Sequence, residues 1–93
     1  MSKRLPRPGI GRRAARISKA GREAFGPLWQ SAMARSIGVS QSYIAMVAQG
    51  DRRVTDELYR KISNGLLNEA ERLRERAART NELAQRILRD LAD

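Results

Sequence analysis

Two short helical patterns separated by one glycine dominate the middle of this chain. In residues 30–49, QSAMARSIGVSQSYIAMVAQ, apolar side chains recur at helical spacing on both sides of Gly38. Gly38 can adopt a positive φ without a Cβ penalty, so it can end the first helix. Ser40 can cap the second by accepting from the amide of Ser42 or Tyr43. The pattern therefore predicts a helix, a tight turn and a second helix.

The same residues resemble the helix-turn-helix of phage-repressor-type DNA-binding proteins. That family's pattern has a small residue at the fifth position, glycine at the ninth, a β-branched residue at the fifteenth, and apolar residues at the fourth, eighth, tenth and eighteenth. All these positions match when counted from Gln30: Ala34, Gly38, Ile44, Met33, Ile37, Val39 and Val47. The resemblance covers about a fifth of the chain. It implies that the first helix contacts the DNA backbone and the second reads bases. The alternative is a helical hairpin that only packs a core.

Candidate DNA contacts follow from this resemblance and from the outward face of the second helix. Glutamine can contact adenine through N6 and N7, serine can serve several base edges, and alanine can touch the thymine methyl group. No Arg or Lys lies on this face, which favours A·T pairs. Tyr43 either donates to a phosphate or covers the edge of the core. The predicted contacts are Gln30, Ser40, Gln41, Ser42, Tyr43, Ala45, Met46 and Gln49, with Arg52 and Arg53 on phosphates.

The charge of the chain indicates a polyanionic partner. It contains 19 Lys+Arg against 10 Asp+Glu, a net charge of +9, and its pI is about 11.4. A domain pI above about 9 is typical of nucleic-acid binders. No stretch approaches the roughly 20 apolar residues of a transmembrane helix, and no signal peptide opens the chain. The predicted partner is double-stranded DNA, no membrane is expected, and the expected location is cytoplasmic, on the nucleoid.

The first 13 residues, MSKRLPRPGIGRR, are basic and contain no acid. With two prolines and two glycines, such a segment buries too little apolar surface to offset its ordering entropy. The composition predicts a disordered arm that reaches along phosphates or into a narrow minor groove. Its predicted DNA contacts are Arg7, Arg12 and Arg13. The alternative is a solvated tail that aids solubility or non-specific binding.

Flanking patterns predict a helix on each side of the central pair. Residues 14–25 form the first, and Gly26-Pro27 separates it from the next because glycine ends helices and proline suits a first turn. Thr55 or Asp56 should cap a fourth helix whose first turn is acidic. Trp29 is predicted to anchor the core, and Leu58 to help close it. The other predicted core residues are Ile17, Phe25, Leu28, Met33, Ile37, Ile44, Val47 and Ile62.

The C-terminal part of the chain has a different pattern. After Asn64-Gly65, which could end or kink the fourth helix, small and apolar residues alternate spacings of four and three. This is a heptad seam. It predicts a helix that pairs with a second copy, or one that folds back on its own domain. A core of this size is marginal without oligomerisation, which favours a homodimer. The seam consists of Leu66, Ala70, Leu73, Ala77, Thr80, Ala84, Ile87 and Leu91.

Together these patterns predict an all-α protein with a helix-turn-helix domain of about four helices. The arm spans residues 1–13, the DNA-binding domain 14–64 and the dimerising C-terminal helix 65–93. The chain has no Cys and no His, which removes the commonest metal ligands and general base, so no enzyme, cofactor or metal is expected. The predicted function is a dimeric, sequence-specific transcriptional regulator that binds an inverted-repeat operator. The resemblance to phage-repressor-type proteins implies a repressor or autorepressor of a phage or mobile element. The alternative is an architectural or adaptor DNA-binding protein with weak sequence preference.

Overall fold

The protein is an array of four helices in the computed structural model, which describes residues 11–92. The helices are α1 (Gly11–Phe25), α2 (Trp29–Ile37), α3 (Gln41–Gln49) and α4 (Asp56–Ala92). The described residues contain no strand. The predicted all-α class with a long C-terminal helix is confirmed.

Glycines in the left-handed conformation bracket α3. Gly38 has φ 78° and Gly50 has φ 83°, a region that residues with a Cβ rarely adopt. The N–H groups of Gly38 and Val39 both donate to the carbonyl oxygen of Ala34, at 2.9 and 3.0 Å, and so close the end of α2. The turn predicted between α2 and α3 is confirmed.

Side-chain caps begin α3 and α4. The N–H of Tyr43 donates to Oγ of Ser40 at 3.1 Å, and the N–H of Leu58 donates to Oγ1 of Thr55 at 3.1 Å. Each hydroxyl satisfies an amide that has no partner within its helix. The predicted Ser40 cap is confirmed, and Thr55 rather than Asp56 caps α4.

The core lies where α1, α2 and α3 meet the first turns of α4. Phe25 and Ile37 are half-buried at its edge. Leu28 is 80% exposed, so its predicted place in the core is wrong. It lies in the turn before α2, where the neighbouring Trp29 occupies the inward position. The buried apolar residues are Ala14, Ile17, Trp29, Met33, Ala34, Ile44, Val47, Val54, Leu58 and Ile62.

Gly21 allows α1 and α2 to pack closely. It lies inside α1, where glycine costs about 1 kcal/mol relative to alanine. A Cβ at this position would overlap ring atoms Cε3 and Cδ2 of Trp29. The absence of a side chain at Gly21 therefore makes room for the indole of Trp29.

The substitution Gly21→Ala should lower the free energy of unfolding by about 1 to 3 kcal/mol, because overpacking outweighs the gain in helix propensity. Urea unfolding followed by Trp29 fluorescence and by circular dichroism measures this loss. Gly65→Ala is the matched control, since its Cβ would come within 3.0 Å of one atom only, Cγ2 of Ile37 at 2.8 Å, rather than of several atoms of a rigid ring, and its loss should be smaller. Equal losses would contradict the role assigned to the contact with Trp29.

The long helix α4 contains 37 residues and continues through Asn64 and Gly65 without a break. Every residue in the range 71–92 is exposed, and the longest dimension of the molecule is 62 Å. We call residues 11–70 the head and residues 71–92 the stalk. The stalk projects away from the head, so the alternative in which it folds back on its own domain does not hold.

Candidate nucleic-acid interface

The polar side chains of α3 lie on the surface because its large β-branched residues are held inside. Ile44 and Val47 are fully buried in the core. Helical spacing then directs one face of α3 away from the core, and we call this the reading face. Its residues Gln41, Ser42, Met46 and Gln49 are exposed, and Ala45 is half-buried.

No carboxylate lies on α2 or α3. Between Glu23 and Asp51 the sequence contains no acidic residue. Arg52 and Arg53, in the loop after α3, are both exposed. The reading face is therefore uncharged, and the loop after it has one exposed carboxylate, Asp51, and two exposed cations, so its net charge is positive beside a phosphate backbone.

Tyr43 connects the core to one of these cations. Its half-buried ring packs against the core, and the Arg52 guanidinium lies over it, 5.2 Å from the ring centroid. This is a cation–π contact. Tyr43 thus covers the core edge, as one of its two predicted roles requires, and it also orients Arg52 beside the first turn of α3.

Ser40 and Gln30 lie at the starts of α3 and α2. The Ser40 oxygen accepts from an amide of its own helix, which leaves its hydroxyl hydrogen available to a further acceptor. Gln30 is half-buried in the first turn of α2, which contains no acid, and Leu28 before it provides no side-chain cap. Uncapped first-turn amides favour anions. Both positions suit contacts to a phosphate oxygen.

Arg13 is engaged within the protein. Its Nη1 donates to the carbonyl oxygen of Val54 at 3.2 Å, its Nη2 lies 2.8 Å from Oδ1 of Asp56, and its guanidinium lies 4.7 Å from the centroid of the Tyr59 ring. These contacts tie the start of α1 to α4 and to the loop before it. The guanidinium of Arg13 is therefore committed to intramolecular partners.

The start of α1 corrects the predicted extent of the arm. The helix begins at Gly11 rather than at residue 14, so Arg12 and Arg13 belong to the head. Arg12 is exposed and remains a candidate phosphate contact. The predicted contact Arg7, and the rest of the arm, lie outside the described residues.

Arg12 and Arg13 offer a matched pair of substitutions. Arg13→Ala should lower the free energy of unfolding by about 1 to 2 kcal/mol, because it removes a hydrogen bond and an ion pair, and it should barely alter DNA affinity. Arg12→Ala should leave stability unchanged but reduce the slope of log K against log salt by about 0.9 if it meets a phosphate. Urea unfolding and salt-dependent binding measure both. The reverse pattern would exchange the roles assigned to the two arginines.

No protein-family model, curated protein or solved structure matches this chain. Within residues 11–92, no helix is both long and apolar enough to cross a membrane. In the same range, no group of three or more acidic side chains is arranged to hold a metal ion.

Proposed function

We propose that this protein is a dimeric, sequence-specific regulator that binds double-stranded DNA through α3. The observation that carries the proposal is the reading face of α3. Left-handed glycines, Gly38 before the helix and Gly50 after it, set the two ends of α3. That face exposes hydrogen-bonding and small side chains without a carboxylate, and two exposed arginines follow it. Such a helix can approach base edges without repulsion from the phosphates.

The position of each side chain along α3 supports base contacts. The major groove admits one α-helix, and in helix-turn-helix docking the first residues of the second helix meet the base edges. Gln41 and Ser42 are the first two residues of α3. Glutamine matches adenine, and the apolar surfaces of Ala45 and Met46 suit the thymine methyl group. We therefore expect a preference for A·T pairs beneath the reading face.

The distribution of charge supports a division between head and stalk. Thirteen of the 19 basic residues, but only four of the ten acidic residues, precede Leu66. The whole net charge of +9 therefore lies in residues 1–65, and residues 66–93 are neutral overall. The excess positive charge that attracts a polyanion therefore lies before Leu66, and the balanced charges of residues 66–93 create little electrostatic repulsion against another helix.

These features fit a repressor or autorepressor that occupies a promoter as a homodimer. An inverted-repeat operator would match the symmetry of such a dimer. The setting in a phage or mobile element, and the location on a bacterial nucleoid, come from the helix-turn-helix resemblance. The alternative is an architectural or adaptor protein, which the exposed apolar stalk favours because that surface could recruit a different protein.

A competition binding assay tests the proposal. Fragments selected from a random-sequence library by the full chain would compete against bulk DNA at a stated salt concentration. A specific regulator should prefer its selected site by roughly 10³- to 10⁷-fold. Selection that yields no shared sequence, with no preference over bulk DNA, would favour the architectural alternative.

A further inference from the structure

The stalk carries a stripe of apolar side chains on which no other part of the described chain packs. Its large residues are between 43% and 79% exposed. A patch of this kind on a small protein marks an interaction site. We propose that the stalk pairs with the stalk of a second copy in antiparallel orientation, and this rests on the homodimer proposed above. The large residues are Leu73, Leu83, Ile87, Leu88 and Leu91.

The head determines the orientation of the pair, because it packs on the first turns of the α4 face that contains the seam. Tyr59, Ile62 and Leu66 of α4 continue the seam towards its N-terminus. They line one groove with Ile17 and Ala20 of α1. In a parallel pair, the two α4 axes would lie about 8 to 10 Å apart at the start of the stalk. The α1 helices, each about 10 to 12 Å across, would then require the same space.

The antiparallel arrangement removes this conflict. Each stalk then lies along the other stalk, and Ala92, the last described residue, lies at the level of Arg72 of the second copy. The exposed part of the seam comprises residues 73–91. In an antiparallel pair centred at Glu82, these residues of one copy lie against the same residues of the second copy. In this register Leu73 faces Leu91 of the second copy, Ala77 faces Ile87, and Thr80 faces Ala84.

Side-chain size and charge agree with this register. Small residues at the centre of the pair permit close approach, and Leu residues close both ends. Arg76 and Asp90 flank the seam on the same side and come opposite each other in the two copies. Flanking pairs of opposite charge set partner orientation in paired helices. Two-fold symmetry forms this ion pair twice, and no like charges meet across the exposed seam.

The flanking ion pair that a parallel dimer would form is weaker, because its carboxylate is already engaged within its own helix. A parallel, in-register seam would set Glu69 against Arg74 of the second copy. The side chain of Glu69 is only 15% exposed, and its Oε1 lies 3.5 Å from Nη1 of Arg72 in its own helix. The carboxylate is therefore partly covered by its own chain and poorly placed to reach a second copy.

The proposed pairing sets the distance between the two DNA-binding heads. With a rise of 1.5 Å per residue, the Ile62 residues of the two copies lie about 60 Å apart along the helix axes. Half-sites one turn of DNA apart are separated by about 34 to 36 Å. If both heads engage one operator, its half-sites should be nearer to two turns apart than to one.

Cysteine cross-linking of the full chain tests the orientation, because the protein contains no cysteine of its own. An equimolar mixture of Ala77→Cys and Ile87→Cys should form, on oxidation, almost entirely mixed disulfide dimers, which intact mass distinguishes from the two symmetric dimers. A second mixture, Thr80→Cys with Ala84→Cys, should behave in the same way. Ala78→Cys is the matched control, since it neighbours Ala77 on the outward face, and its mixture with Ile87→Cys should remain reduced.

Two outcomes would overturn the inference. Symmetric disulfide dimers alone, from both mixtures, would establish a parallel pair. Absence of cross-links together with a monomer in sedimentation would show that the stalk does not pair with itself. Both measurements are made without DNA, so they remain separate from the competition assay. Mixed dimers with no preference for any DNA sequence would overturn the proposed regulator and leave the antiparallel stalk intact.

Discussion

Replacing Leu73 and Ile87 together by glutamate should make the protein monomeric while the head stays folded. Both side chains lie in the exposed seam, outside the buried core. An unpaired charge buried at an interface costs several kcal/mol, enough to prevent association of a short helix pair. Sedimentation measures the loss of the dimer, and circular dichroism checks that the head remains helical.

Operator affinity should fall with the loss of the dimer. A monomer keeps only one set of contacts, and the linkage of two sites contributes roughly 10²- to 10⁴-fold in affinity. Leu67→Glu is the matched control, because Leu67 is an equally apolar, exposed residue of α4 that precedes the stalk and lies off the seam. It should remain a dimer. A dimeric Leu73→Glu, Ile87→Glu variant would place the interface elsewhere, and an unfolded one would mean that the stalk supports the head.

Gln41→Ala should lower affinity for the selected DNA site by about 1 to 3 kcal/mol, roughly 5- to 150-fold. The reason is the loss of the bidentate contact proposed between Gln41, the first residue of α3, and an adenine. Affinity for bulk DNA should barely change, since phosphates rather than bases provide non-specific binding. Competition titrations against selected and bulk DNA give both values from the same preparation.

Two further substitutions define what the Gln41 result means. Gln85→Ala removes an exposed glutamine from the stalk and should change neither affinity. Arg52→Ala removes the proposed phosphate contact and should weaken specific and non-specific binding alike. A Gln41→Ala protein that binds its site as tightly as the parent would show that α3 does not read bases in the manner proposed.

Local sequence signals correctly predicted the turn between the two central helices. The Gly38 turn and the Ser40 cap each depend on backbone conformation and hydrogen bonds within about four residues along the chain. For α4 the sequence left Thr55 and Asp56 open, and the structure assigns the cap to Thr55. Interactions over that range leave their signature in neighbouring residue types. The inward positions of Ile44 and Val47 follow from helical periodicity in the same way, so the reading face of α3 was predictable.

Contacts between distant segments were not predictable in this way. Arg13 contacts Asp56 and the Val54 carbonyl, which are distant from it along the chain. No local pattern distinguishes Arg13 from the exposed Arg12 beside it. The fit of Trp29 against Gly21 likewise depends on the crossing of two helices. Sequence spacing alone placed both Leu28 and Trp29 inside, whereas packing could accommodate only one of these adjacent side chains.

For the stalk, the sequence predicted the secondary structure but not the packing. Its heptad spacing determined a long helix with one apolar face, because that property depends only on residues three and four apart. The same pattern allowed a helix that folds back or one that pairs with a second copy. The tertiary structure rules out folding back: α1 already covers the first turns of that face, and the unbroken helix at Gly65 carries the remaining seam beyond the head. Pairing with a second copy remains a proposal.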